Sequence, residues 1–187
     1  MTDLHTVDWS AIPAPVDDGA ANHLVGMPWP AIELESTDGI NVDLSKLPGR
    51  SLVYAYPMTG RPGTPLPDGW DQIPGARGCT PQSCAFRDHS DELRRLGVSG
   101  VYGISTQRSV DQQEAAERLH LPFALLSDSD LQLARGLNLP VFRVGDATLL
   151  RRITLVIDDG TITKMFYPVF PPDENAQAVI DWLQRGG

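Results

Sequence analysis

Short apolar runs, some alternating with polar residues and some continuous, recur along the chain between stretches rich in turn residues. Their periods predict most of the secondary structure. Ile32-Glu33-Leu34-Glu35 alternates, Thr37-Asp38-Gly39 supplies turn chemistry, and Ile40-Asn41-Val42-Asp43-Leu44 resumes the alternation, which predicts a β-hairpin. Ser51-Leu52-Val53-Tyr54-Ala55-Tyr56, closed by Pro57, is an unbroken apolar and aromatic run of the kind found in a buried central strand. A second such run is Val101-Tyr102-Gly103-Ile104. Between these two, Thr80 to Leu96 carries Phe86, Leu93 and Leu96 at helical spacing, with Asp88, Asp91 and Arg95 elsewhere on the wheel.

The strand-helix alternation continues. Ser109 is placed to cap a helix reaching about His120, Phe123-Ala124-Leu125-Leu126 reads as a strand, and Asp128 to Leu137 as a short helix. Ile153 to Ile157 and Thr161 to Phe166 flank Asp158-Asp159-Gly160, a second hairpin signature, and Ala176, Val179, Ile180 and Leu183 mark a C-terminal amphipathic helix. Alternating units of this kind imply an α/β domain whose sheet is covered on both faces. Two stretches stand outside the pattern. Residues 1 to about 27 are polar and interrupted by Pro13 and Pro15, so residues 1–24 are expected to be an irregular extension without a functional role, ahead of a domain spanning 25–187. Thr59 to Gly75 is crowded with Pro62, Pro65, Pro67, Pro74, Gly60, Gly63 and Gly69, and a loop of that length inside a compact domain is usually functional or disordered.

Composition narrows the function. With 187 residues, 41% of them hydrophobic, the chain can bury one substantial core. A formal charge of -9 argues against nucleic acid or anionic membrane as partners, since both require clustered Lys and Arg. Met1-Thr2-Asp3-Leu4-His5 has neither the basic start nor the apolar run of a secretory signal, and no stretch approaches the roughly 18 apolar residues of a membrane span, so a cytoplasmic protein is expected. A reducing cytosol disfavours a purely structural bond between the two cysteines, Cys79 and Cys84.

Thr80-Pro81 reads as an N-cap and first helical residue, because proline lacks only an amide hydrogen that would be orphaned there. Cys79 then sits at a helix mouth, where the macrodipole and free N–H groups favour a thiolate. At about 100° per residue, Cys79 falls within roughly 20° of Phe86 on the inward stripe, whereas Cys84 lies roughly 160° from Phe86. Five residues of helix separate the two Cα atoms by about 8 to 9 Å, beyond the roughly 7 Å limit for a disulfide, so the first turn must unwind before they bond. Two small apolar residues on a helix are the alternative reading of this pair, and a zinc site with His89 would lack a fourth ligand.

Gly78-Cys79-Thr80-Pro81-Gln82-Ser83-Cys84-Ala85-Phe86-Arg87-Asp88, with Glu92-Leu93, resembles the active-site helix of peroxiredoxins of the Q or bacterioferritin-comigratory-protein type. The resemblance extends through Val25-Gly26-Met27-Pro28, Thr37-Asp38-Gly39, Tyr56-Pro57, Gly103-Ile104-Ser105, Leu121-Pro122-Phe123, Leu125 to Asp128 and Arg152 to Asp158, covering roughly residues 25 to 185. It implies a thioredoxin-like fold bearing an N-terminal β-hairpin and a Pro/Gly-rich insertion before the active-site helix. It further implies a thiol peroxidase in which Cys79 is peroxidatic, Cys84 resolving, Arg152 the arginine that stabilises the thiolate, and Pro57 the proline that shields it from water. A hydroperoxide substrate, a thioredoxin- or glutaredoxin-like reductant, a monomer or homodimer, and no metal, haem or flavin go with that family. Without the resemblance, Arg152 beside Arg151 would read as a solvated edge residue.

Two departures from the family pattern bear on the site. The usual threonine three residues before the peroxidatic cysteine is Ala76 here, so Thr59 is the first candidate to supply its hydroxyl, ahead of Thr64 and Thr80. Gln82 replaces an acidic residue common in this helix, an exchange expected to be tolerated. Trp70 and Ile73 in the insertion either cover the pocket, contact a partner or pack elsewhere. The competing functions are a dithiol–disulfide oxidoreductase acting on proteins and a peroxide-sensing module without efficient turnover.

Overall fold

A computed structural model describes residues 7–187. The elements, in chain order, are β1 (Leu34–Ser36), β2 (Asn41–Val42), β3 (Arg50–Ala55), α1 (Cys79–Asp88), α2 (Ser90–Arg95), β4 (Val98–Ser105), α3 (Ser109–Arg118), β5 (Leu125–Ser127), α4 (Gln132–Gly136), β6 (Val141–Val144), β7 (Ala147–Leu150), β8 (Ile153–Asp158), β9 (Thr161–Phe166) and α5 (Asn175–Gln184). Seven strands form one sheet in the order β2-β1-β5-β4-β3-β8-β9. Its centre, β5-β4-β3, is parallel, and the β1–β2 and β8–β9 hairpins extend it antiparallel on either side. This is the doubly covered α/β sheet that the alternation of elements predicts.

Side-chain alternation on the central strands divides the interior into two cores. Val53 and Ala55 of β3, with Ile153, Leu155 and Ile157 of β8, join Leu133 and Ala134 of α4 on one face. Leu52, Tyr54 and the adjoining Tyr56, with Val156, join Phe86 of α1, Leu93 of α2 and Val179, Ile180 and Leu183 of α5 on the other. Both faces of β3 are therefore buried, which is why its sequence reads as an unbroken run. Even-numbered positions on and beside β8 face α1, and that parity positions the site.

Several boundaries differ from expectation for local reasons. The single helix expected over Thr80 to Leu96 is broken at His89 (φ -98°, ψ 7°), where Ser90, Asp91 and Glu92, residues suited to a first turn, start α2. Arg108, not Ser109, occupies the cap of α3. The β5 strand starts at Leu125 instead of Phe123, and α4 is shorter than Asp128 to Leu137. Asp128 lies outside α4, where its carboxylate accepts from the Leu133 and Ala134 amides at 2.9 and 2.8 Å.

A third strand pair escapes the sequence reading: β6 and β7 turn at Gly145-Asp146 and form a separate two-stranded sheet. Against this hairpin packs the Pro/Gly-rich insertion. Trp70, in a short 3-10 turn, is buried with Leu149 and Ala76, and Met58, Ile73, Phe142 and Val144 close the cluster. The insertion is thus anchored beside the start of α1. In the described part of the N-terminal segment, Trp9–Ala11 form a 3-10 turn, Ala21 and Leu24 are fully buried, and Trp9 packs edge-on against Phe170, with ring centroids 5.9 Å apart. The reading of Met1 to His5 falls outside the described residues.

Candidate functional site

The first helical residue of α1 is Cys79 itself, so Thr80 and Pro81 lie inside the helix and are not its cap and first residue. The cap is Gly78, at φ +110°, a backbone geometry that glycine tolerates without strain. The first helical bond runs from Gln82 N to Gly78 O at 3.0 Å, and Pro81, in the first turn, forgoes an amide that has no helical partner there.

Cys79 is 5% exposed and faces the sheet, joining the core that contains Tyr54, Tyr56 and Phe86. Tyr54 stacks on Phe86 at 4.7 Å and on Tyr56 at 5.7 Å, and its hydroxyl donates to Ser83 Oγ at 3.0 Å, which fixes α1 against β3. Burial pushes the pKa of both tyrosine phenols above the ordinary value, keeping them neutral beside the sulfur. Cys84 is half-buried on another side of α1, and its thiol is pushed up from the ordinary value by burial, with the nearby Arg87 guanidinium opposing. Both cysteines are free.

Arg152 is buried, only 3% exposed, and so is not the solvated edge residue its neighbour suggests. It precedes β8 at an even position, and parity turns it toward α1. Its Nη2 lies 3.3 Å from Cys79 Sγ and 3.2 Å from each of the Gly75, Ala76 and Arg77 carbonyl oxygens. One guanidinium therefore ties down the turn before α1 and donates to the sulfur. Its Nη1 donates to Gln82 Oε1, and its Nε is buried with no partner among the described residues. Arg151 turns away and stacks its guanidinium over Phe142, 5.8 Å from the ring centroid.

The sequence reading treats Gln82 only as a tolerated exchange and does not single out Thr154 or Asn175, yet the three form a buried network behind Arg152. Gln82 Nε2 donates to Asn175 Oδ1 at 2.9 Å, and Thr154 Oγ1 donates to the same oxygen at 2.6 Å. All three side chains are neutral, so among the described residues Arg152 meets no carboxylate and its charge is directed at the sulfur.

Of the remaining expected residues, Pro57 is buried directly after the central strand. Thr59 is 5% exposed, but the structure gives its hydroxyl a different partner from the one expected. Thr59 Oγ1 donates to Gln107 Oε1 at 3.3 Å, the Thr59 amide donates to the same oxygen at 2.9 Å, and Gln107 Nε2 returns a bond to Thr59 O at 3.1 Å. These bonds pin the start of the insertion to the loop after β4. The position of the missing threonine is filled differently: the Ala76 methyl is buried against Trp70, and the Ala76 carbonyl accepts from Cys79 Sγ at 3.7 Å.

Residues 24–180 match the family model described as Redoxin. The chain is 32% identical over 157 residues to the chloroplastic peroxiredoxin Q of Gentiana triflora, covering 83% of this chain and 64% of that protein. It thus spans about two thirds of that relative's length. It is 34% identical over 161 residues to peroxiredoxin Bcp of Escherichia coli K12, covering 83% of this chain and 92% of that one. The crystal structure of peroxidoxin BcpB from Mycobacterium tuberculosis superposes with a TM-score of 0.70 at 24% identity, over 87% of this chain and 98% of that one, which shows a shared thioredoxin-like fold. Among the described residues no helix is long and apolar enough to cross a membrane.

Proposed function

The chain belongs to the redoxin family, as a peroxiredoxin of the Q or Bcp type, and from that premise we propose that it is a thiol peroxidase working through Cys79 and Cys84. The single observation that carries this reading is the buried Arg152 guanidinium, 3.3 Å from Cys79 Sγ and paired with no carboxylate among the described residues. A fixed positive charge beside the sulfur remains in place as negative charge moves onto the leaving oxygen, and stabilises it there.

In the first step the Cys79 thiolate attacks the terminal oxygen of a hydroperoxide. The O–O bond breaks, the sulfur is oxidised to a sulfenic acid, and the departing oxygen takes a proton and leaves as water or an alcohol. In the second step the Cys84 thiol condenses with that sulfenic acid, forming the disulfide and releasing water. A thioredoxin-like dithiol then returns the enzyme to its reduced state by exchange through a mixed disulfide, itself becoming oxidised. Pro57 contributes a dry wall, and Thr59 acts through Gln107 by holding the loop that borders the site.

The second step needs motion. Cys79 and Cys84 belong to one continuous helix, in which ideal geometry separates their Cα atoms by about 8 to 9 Å, against a disulfide limit of about 7 Å. Consumption of hydrogen peroxide by the reduced protein, coupled to thioredoxin and its reductase, tests the function. Turnover supports it; a protein oxidised once and not recycled would instead be a sensor.

A further inference from the structure

The turn entering α1 is held from outside by the N-terminal segment. At Gly78, an added Cβ would run into Pro172 Cγ and lie 2.8 Å from Trp9 Cη2, so the indole and the proline ring both pack against the Cβ side of the residue before Cys79. At Gly75 the corresponding position is 3.5 Å from Pro15 Cβ and Cγ. Farther along, Asp18 Oδ1 accepts from the Tyr167 hydroxyl at 2.9 Å, and Trp9 packs edge-on against Phe170. Residues 9 to 18 therefore touch both the Gly75 to Gly78 turn and the 167–172 segment behind it.

The attachment is made by side chains alone. Backbone bonds of residues 8 to 20 are local, such as Ala11 N to Asp8 O and Ile12 N to Trp9 O; the first bond to a distant element is Gly26 N to Ile162 O at 2.8 Å. Segments held without backbone bonding open at low cost. The Trp9 indole N–H is buried with no acceptor among the described residues, so undocking restores it a hydrogen bond to water. Beyond the strap, the Ala21 and Leu24 side chains are fully buried, which tethers its far end.

We propose that residues 9–18 form a strap that clamps the folded active-site turn, with Trp9 on Gly78 as the positioning contact, and that its release gates formation of the Cys79–Cys84 disulfide. This rests on the two-cysteine mechanism above. Peroxide attack uses the folded turn, in which Arg152 reaches the sulfur. Condensation of the Cys79 sulfenic acid with the Cys84 thiol, forming the S–S bond and releasing water, requires Gly78 and Cys79 to leave that position. With Trp9 packed against Gly78, unwinding of the turn draws Gly78 away from the indole and is coupled to its undocking. The strap thus prolongs the sulfenic acid and exposes it to a second peroxide, which would carry Cys79 to the sulfinic acid.

The test compares full-length wild type, Trp9→Ala and Trp9→Phe by rapid-quench mass spectrometry with hydrogen peroxide. In Trp9→Ala, disulfide formation should accelerate about fivefold, the factor equivalent to ~1 kcal/mol at about 1.4 kcal/mol per decade. Cys79 sulfinic acid at high peroxide should fall in proportion, and Trp9→Phe should recover part of the wild-type behaviour. In the wild-type protein, hydrogen exchange at the Ala11 and Ile12 amides should quicken on oxidation to the disulfide, a readout independent of any variant's folding. Unchanged disulfide rates in Trp9→Ala, or exchange at Ala11 and Ile12 indifferent to oxidation, would overturn the clamp alone. Absence of any Cys79–Cys84 disulfide in the wild type would overturn the two-cysteine mechanism, and the clamp with it.

Discussion

Arg152 donates from Nη2 to the Sγ of Cys79 at 3.3 Å across 73 positions of sequence, while Arg151, its neighbour, stacks on Phe142. Strand parity alone separates their roles. Arg152→Ala is therefore expected to slow the reaction of Cys79 with hydrogen peroxide by about 10² to 10³, the usual consequence of losing a donor at a developing oxyanion. Arg151→Ala should stay near the parent rate. Stopped-flow measurement of both variants decides, and equal losses would remove the support for Arg152.

Gln82 holds the other arm of the same guanidinium and passes a hydrogen bond to Asn175. Gln82→Leu strands a buried donor on Arg152 and another acceptor position on Asn175, at a cost of about 1 to 3 kcal/mol in denaturant unfolding, with a slower peroxide reaction. Gln82→Glu keeps an acceptor for Arg152 but sets a carboxylate on the guanidinium and withdraws the donor to Asn175, so it too should slow the peroxide reaction. A leucine variant with full stability and full rate would show that the network does not position Arg152.

Much of this arrangement is legible in the chain because it follows from short-range periodicity. The run from Leu52 to Tyr56 announces a strand buried on both faces, and the seven-residue spacing of Cys79 and Phe86 places the sulfur inward, as observed. Hairpin β6–β7 left a signal that the sequence reading passes over: Gly145-Asp146 between two runs of four strand-forming residues. The rest is tertiary. Asn175 meets Gln82 across 93 positions, and Trp9 meets Gly78 from a segment with no periodic pattern, so neither contact has a local signature. Thr59 shows the same limit, since only the folded chain reveals that Gln107 takes its hydroxyl.

The pH dependence of the resolving step follows from Cys84. Burial raises its thiol above the ordinary value of 9.0, so the helical, half-buried position favours the protonated form. Below that ordinary value the helix retains the full benefit of this burial. As pH rises through it toward the raised value, the exposed thiol of the unwound turn ionises first and the benefit is lost. Thiolate attack adds to the effect, so disulfide formation should quicken by up to about tenfold per pH unit below the thiol range. Quenched-flow measurements between about pH 6 and 9 test this; a flat profile would show that the step is limited elsewhere.

Oxidation should also disrupt the first turn of α1 while sparing the sheet. Amides from Gln82 to Arg87, including Gln82 N bonded to Gly78 O in the reduced protein, are expected to exchange faster in the disulfide form. Those of Leu52 to Ala55, bonded on both sides by β4 and β8, should remain protected. An oxidised structure with a Cys79–Cys84 bond and an unaltered helical turn would contradict local unwinding.

The most direct test of the division of labour between the cysteines is peptide mapping by mass spectrometry after one equivalent of hydrogen peroxide. In Cys84→Ser the sulfenic acid, or its over-oxidised products, should appear on Cys79, with one oxidation event and no thioredoxin-dependent recycling. Cys79→Ser should neither consume peroxide nor modify Cys84. Preferential oxidation of Cys84 in the intact protein, with Cys79 left as a thiol, would contradict the assignment of Cys79 as the peroxidatic residue.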